Sequence, residues 1–458
     1  MPKSSNQDKL DKLSAEFPFF IYEEFRFSLD RGGLNIHFHF NLGGRYHFHP
    51  SLFIPRDNWA YDDEILKPLL PSLVFHIGMI ELISYWKTAC PPKLIIKPAR
   101  LAQEQVEWWK KLYFMGLGEF FYLNSISTNA NSFMEITAEG EFFPSLATPD
   151  MGAGVIIPVG GGKDSAVTLD LLKPAFDTLP LVLNGRGATS AVINASGIPA
   201  GRALLITRCI DPLLLELNAK GFLNGHTPFS ALLAFVSLTA ALLTGRKFIV
   251  LSNESSANEA TIPGTAINHQ YSKSLEFEDD FRSYVSKYIT RDIEYFSFLR
   301  PLNELQIALL FSRLPAYHGV FRSCNAGSKT DTWCCSCPKC LFTFIILSPF
   351  LGLDRLSAIF GKNLLDQPSM SEILRQFTGA ADEKPFDCIG TISEVNLALC
   401  EAVRMQGEKP LPALLQLYRD SAEFEIYSKE KFYSALESWI PNNLQEPFED
   451  ILKEALYA

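Results

Sequence analysis

At 458 residues, 47% apolar and 20% charged, the chain has an ordinary globular composition with room for two or three domains. A formal net charge of −10 excludes the broad basic face of a general nucleic-acid binder, while leaving room for a local phosphate pocket. No apolar run reaches the ~20 residues that span a bilayer, and the opening MPKSSNQDKLDKLSAEF lacks a secretion-signal core, so a cytoplasmic protein without stable membrane insertion is expected.

From about Pro18 to Pro55 the pattern alternates with period two: Leu34, Ile36, Phe38 and Phe40 against Asn35, His37, His39 and Asn41. Gly32-Gly33 and Gly43-Gly44 mark turns, so the segment predicts a β-meander. His37 and His39 share one strand face and are read chiefly as a polar sheet face, with metal ligation as the alternative. Arg26, Arg31 and Arg45 are read as solvated surface, with phosphate contact as the alternative. Residues from about Glu64 to Tyr122 predict helices rich in aromatics. Together residues 1–150 are expected to form an N-terminal α+β domain.

Short β-like runs at Val155–Pro158, Pro180–Leu183, Ala203–Thr207 and Lys247–Leu251 then alternate with helical patterns. Such alternation predicts an α/β fold with a parallel sheet, spanning residues 151–345. The first strand runs into GGGKDS and the fourth into SNES, which places both ends on the carboxyl edge where such sheets bind ligands. Gly160, Gly161 and Gly162 lack Cβ atoms, so several N–H groups can aim at one anion, and a helix starting at Asp164 or Ser165 adds its positive end. Ser165 can donate a hydroxyl hydrogen bond, and Lys163 can neutralise phosphate. The spacing fits neither the Walker loop nor the dinucleotide fingerprint.

Five of the nine cysteines crowd between Cys324 and Cys340. Disulfides are not expected in a cytoplasmic chain. Cys324, Cys334, Cys337 and Cys340, spaced C-x9-C-x2-C-x2-C with Cys335 extra, can close a tetrahedral shell, and structural Zn²⁺ is the favoured reading. A redox pair and acid–base cysteines are the alternatives. From residue 346 to the C terminus the chain is expected to be mostly helical, interrupted by a polar loop at residues 378–391.

GGGKDS resembles the Ser-Gly-Gly-x-Asp-Ser loop of the N-type ATP pyrophosphatases (PP-loop superfamily), with Gly160 where the first Ser usually stands. That resemblance implies a loop that holds pyrophosphate, with Asn253, Glu254 and Ser255 supplying oxygens to Mg²⁺ on ATP; a solvated loop is the alternative for those three. RPLNELQIALLFSRLPAYHGVFRSC and the cysteine knuckle resemble the 7-cyano-7-deazaguanine synthases of the same superfamily. Almost the whole chain, however, resembles the bacterial UDP-N-acetylmuramoyl-L-alanyl-L-glutamate epimerase family (MurL), through FPFFIYEEFRF, FHIGMIELISYWK, WWKKLYFMGLGEFFYLN, NGHTPFSA, LSNESSANEATIPGTAINHQYSKSLEFE and KPFDCIGT.

This second resemblance implies ATP- and Mg²⁺-dependent inversion of the terminal L-Glu of UDP-MurNAc-L-Ala-L-Glu, after a ligase has added that residue, with AMP and pyrophosphate released. Converting the carboxylate to an acyl-adenylate removes the charge that makes the neighbouring Cα–H so weakly acidic, so ordinary side chains can move the proton. His226, His269, Tyr271, Lys273 and Cys388 lie in polar loops of the most family-like segments and are candidate catalytic groups. Lys273 is assigned chiefly to phosphate or adenylate charge, and a packed, unreactive thiol is the main reading for Cys388. The alternative function is a PP-loop ATP pyrophosphatase of deazapurine or tRNA modification.

Overall fold

The computed structural model describes residues 6–262, 265, 267–381, 383–387 and 389–457. It is an α/β chain whose strands, in chain order, are β1 (Phe19–Leu29), β2 (Gly33–Leu42), β3 (Tyr46–Phe48), β4 (Ser51–Pro55), β5 (Lys93–Ile96), β6 (Glu135–Ala138), β7 (Gly152–Pro158), β8 (Thr178–Leu183), β9 (Leu204–Cys209), β10 (Arg246–Leu251) and β11 (Glu294–Ser297). Its contacts divide it into two units that interleave along the chain. One comprises Met1–Ile156, Leu204–Ile249 and Ala266–Tyr295, the other Ile157–Ala203, Val250–Thr265 and Phe296–Ala458.

The first unit contains the strand order β9-β4-β2-β1-β5-β6, with β3 added to β2. β1, β2 and β4 form the expected meander: β2 is antiparallel to both neighbours, and its Leu34, Ile36, Phe38 and Phe40 are buried on one face. His39 lies on the other face, where its Nε2 meets His47 Nδ1 at 2.8 Å and its ring stacks on His49. Three strands were not expected: β5, β6 and β11. β5 pairs parallel with β1 (Phe19↔Lys93), and β6 pairs parallel with β5. Four residues are too few to display an alternation, and only a neighbouring strand makes KLII or EITA extended. The strand expected at Ala203–Thr207 is present as β9, and its pairing with β4 is antiparallel (Leu52↔Arg208). Helices Leu70–Glu81 and Phe229–Leu243 are apolar nearly all round and buried, as such helices must be.

In the second unit the chain turns through glycines from the end of β7 into helix Lys163–Leu172. Residues of the first unit pair β10 parallel with β7 (Phe248↔Val155, Ile249↔Ile156), so the two carboxyl ends leave side by side as the alternation predicts. Helices Glu304–Ser312, Pro338–Leu351 and Ile392–Gln406 pack into the core of this unit. The polar loop also falls where expected. Helix Ser371–Thr378 stops at Gly379, whose φ of 85° ends it in the left-handed region, and Thr391 caps the next helix through Glu394 N. Among the described residues, no helix is long and apolar enough to cross a membrane.

Candidate active site

The glycine turn builds the first half of the candidate site, in the second unit. Gly161 sits at φ 90°, and a Cβ there would come within 3.0 Å of Ala188 C and Thr189 N. Its carbonyl accepts the Arg322 N–H at 2.8 Å, which ties the turn to the segment before the cysteines. Gly162 is the N-cap of helix Lys163–Leu172, and having no side chain it leaves the first amide groups uncovered. Ser165 Oγ donates to Gly162 O at 3.1 Å, inside the same turn.

Carboxylates crowd this turn. Lys163 is buried, and its Nζ binds both Asp164 and Glu304, the latter at 2.5 Å. Burial opposes its charge, but the two acids outweigh that and raise its pKa. Glu304 is pushed well above the usual carboxylate range by burial, against the pull of Lys163; Asp164, Glu254 and Glu394 push it further. Lys163 thus pairs with two of four neighbouring acids, which leaves a surplus of carboxylate oxygens that suits a hard divalent cation. Glu254 follows β10, buried, with its backbone carbonyl accepting from Arg300 at 2.6 Å; Asn253 Nδ2 donates to Ser297 Oγ. Glu394 caps two helices at once, accepting from Glu304 N and Thr391 N. A cavity of about 630 Å³ opens beside these groups, with Ser255, Asn303, Glu394, Tyr427 and Lys431 in its wall.

The four expected cysteines meet. Cys324 and Cys337 Sγ are 3.8 Å apart, Cys334 and Cys340 3.8 Å, and Cys337 and Cys340 3.5 Å. A tetrahedron with zinc–sulfur bonds of about 2.3 Å has edges of about 3.8 Å, so the thiols fit that shell. Cys337 is brought down to about 5, first by its hydrogen bond with Cys340, so the cluster stabilises a thiolate. Cys335 points away, with its Sγ against the Trp333 and Phe360 carbonyls. From the same segment Asp331 accepts from Gly187 N and Ala188 N, both at 3.0 Å, and caps helix Gly187–Ala195. Arg322 stacks over Trp333, and its guanidinium donates to the Gly319 and Phe321 carbonyls.

A second cluster lies in the first unit. Glu119, at the start of the short helix Gly118–Leu123, accepts from His269 Nδ1, and His226 Nδ1 lies 3.5 Å from the same carboxylate. The two imidazole centroids are 4.6 Å apart. Burial pushes His226 down to about 4; the charges of His269, Lys87 and Lys273 add to this and outweigh Glu119. The NGHTP loop is held close because Gly116 leaves room for Pro228 and Gly225 leaves room for Phe120.

Of the candidate catalytic groups, His226, His269 and Lys273 therefore share one electrostatic neighbourhood. Tyr271 is turned inward, buried against Phe277, and burial raises its hydroxyl. Cys388 lies outside the described residues. Arg26 and Arg45 pair at the surface with Glu24 and Glu16. Sequence reasoning missed Glu119, Glu304 and Asp331. A lone acid among aromatics in GLGEFFYLN was a usable signal for Glu119, since unpaired acids avoid cores. Glu304 gave none beyond a helix start.

Residues 12–298 match the family model described as the MurL N-terminal domain, and residues 320–431 the MurL C-terminal domain. The chain is 37% identical over 348 residues to the UDP-N-acetyl-alpha-D-muramoyl-L-alanyl-L-glutamate epimerase of Salinispora tropica, covering 74% of this chain and 75% of that one. Its identity to the protein of the same name from Xanthomonas oryzae pv. oryzae is 36% over 334 residues, 70% of this chain and 72% of the relative. No solved structure matches it.

Proposed function

This chain belongs to the MurL epimerase family, and from that membership we propose that it is an ATP-dependent epimerase that inverts the terminal L-Glu of UDP-MurNAc-L-Ala-L-Glu in peptidoglycan precursor synthesis. The observation that carries the nucleotide half is the glycine turn. Gly160–Gly162 leave a helix N-terminus without a side-chain cap, at the paired carboxyl ends of β7 and β10, as a pyrophosphate cradle requires. In this reading the core is a PP-loop nucleotide-binding fold, and the turn grips the β- and γ-phosphates of ATP while the substrate carboxylate attacks the α-phosphorus.

Asp164 and Glu254 are the acids that would hold Mg²⁺, whose charge would offset that of the phosphates during the attack. The four thiols would hold a structural zinc. Its place would be to fix the segment whose Arg322 N–H anchors the Gly161 carbonyl and whose Asp331 caps the neighbouring helix. The acyl-adenylate lacks the carboxylate's negative charge, so the α-proton becomes removable, and hydrolysis then releases AMP and the D-Glu product. The acidic balance of the chain weighs against a tRNA substrate.

The test is incubation with ATP, Mg²⁺ and the precursor, with chiral analysis of glutamate and assay of AMP and pyrophosphate. D-Glu should appear only with ATP. Inversion at an undiminished rate without nucleotide would sink the reading.

A further inference from the structure

Lys87 follows helix Ile83–Trp86 and is 6% exposed. Its Nζ donates to Gly225 O at 2.5 Å, and among the described residues no carboxylate pairs with it. The acid on the preceding helix, Glu81, is taken bidentately by Arg208 at 2.8 and 2.9 Å. A buried ammonium without a counter-charge is costly, and proteins tend to keep such groups where they work. The carbonyl it holds belongs to the residue just before His226, so the ammonium stands at the root of the loop that presents this imidazole. Its charge is felt at the ring.

We propose that Lys87 and His226 are the acid–base pair that inverts the α-carbon, with Glu119 as the positioning residue that orients the imidazoles. This rests on the epimerase reading above. The protonation states suit the two roles. His226 is neutral at pH 7, because burial and the cations around it outweigh Glu119. Burial first, then Arg208, brings Lys87 down to about 8 against the opposing Cys90, so at pH 7 it is an ammonium that can release its proton.

The neutral imidazole takes the α-proton, and the C–H electron pair moves into the adenylate carbonyl as an enolate. The ammonium then donates to the opposite face of Cα. Imidazolium and amine remain, and solvent resets them by removing one proton and supplying one. The reverse direction uses the same groups in exchanged roles.

The experiment compares wild type, Lys87→Gln, Lys87→Arg and His226→Gln in D₂O with ATP, Mg²⁺ and the precursor, reading AMP, pyrophosphate, D-Glu and α-deuterium. Both Lys87 variants should lose inversion by at least about 100-fold. They should still release AMP and pyrophosphate, and deuterium should enter the recovered L-substrate because His226 remains. His226→Gln should lose both inversion and that exchange. Lys87→Arg keeps the buried cation, so it decides the matter if Lys87→Gln does not fold. Glu119→Gln should extend the acid limb of the kcat profile to lower pH, since the carboxylate raises His226; an unmoved limb would leave Glu119 without its positioning role. Lys87 variants that invert within a few-fold of a working wild type overturn the assignment alone. A wild type that releases no AMP and pyrophosphate overturns the function reading and this pair with it.

Discussion

Gly161 combines a φ of 90° with backbone of residues 188 and 189 at contact distance from any Cβ. Gly161→Ala should cost about 1–3 kcal/mol through this strain and stop pyrophosphate release, read by thermal unfolding and a pyrophosphate assay; full release would mean that the turn is not the anion cradle. Asp164→Ala and Ser165→Ala should abolish the same release while leaving the melting temperature within a few degrees. The glycine run and the cysteines were legible in the sequence because the members of each set are close along the chain. Lys163 with Glu304, 141 residues apart, and Glu119 with His269, 150 apart, were not. No local pattern records which distant acid a folded chain will bring to a lysine or an imidazole.

At the scale of elements, the loop between Arg322 and helix Pro338–Leu351 joins two functions, the thiol shell and the support of the glycine turn. Cys337→Ser should lower bound zinc from one to none per chain and weaken ATP binding about tenfold or more, followed by metal analysis and nucleotide titration. Unchanged ATP affinity after metal loss would separate the two. Helix Leu70–Glu81 offers a purely structural test. A Cβ at Gly78 would lie 2.0 Å from Tyr22 Oη, so Gly78→Ala must push β1 away from the helix and should cost about 1–3 kcal/mol. Long periodic elements such as β2 announced themselves. β5 and β6 did not, because a four-residue strand takes its conformation from its neighbour.

For the molecule as a whole, pH should act through buried histidine. His76 donates from Nδ1 to Ser72 O, and its Nε2 meets Tyr284 Oη, which also accepts from Gln105 and Trp109. Burial pushes His76 down to about 4. Between pH 6.5 and 4 the unfolded chain therefore binds a proton that the folded chain refuses. Stability is full above 6.5 and falls by up to about 3 kcal/mol as pH drops to 4. Glu304 and Glu394, whose carboxyls are raised, pull the opposite way. Denaturant titrations of wild type against His76→Gln from pH 7 to 4.5 isolate the histidine; identical slopes would refute its role. By itself the sequence determined the α/β alternation, the glycine turn at a strand's carboxyl end, the four-cysteine set and the helical C-terminal stretch, since each is written in short-range spacing. Only the tertiary structure decided which acids surround Lys163, which way Tyr271 and Cys335 face, and that Lys87, with no carboxylate partner among the described residues, holds the carbonyl before His226. Those outcomes depend on burial and long-range charge, which exist only once distant segments have packed.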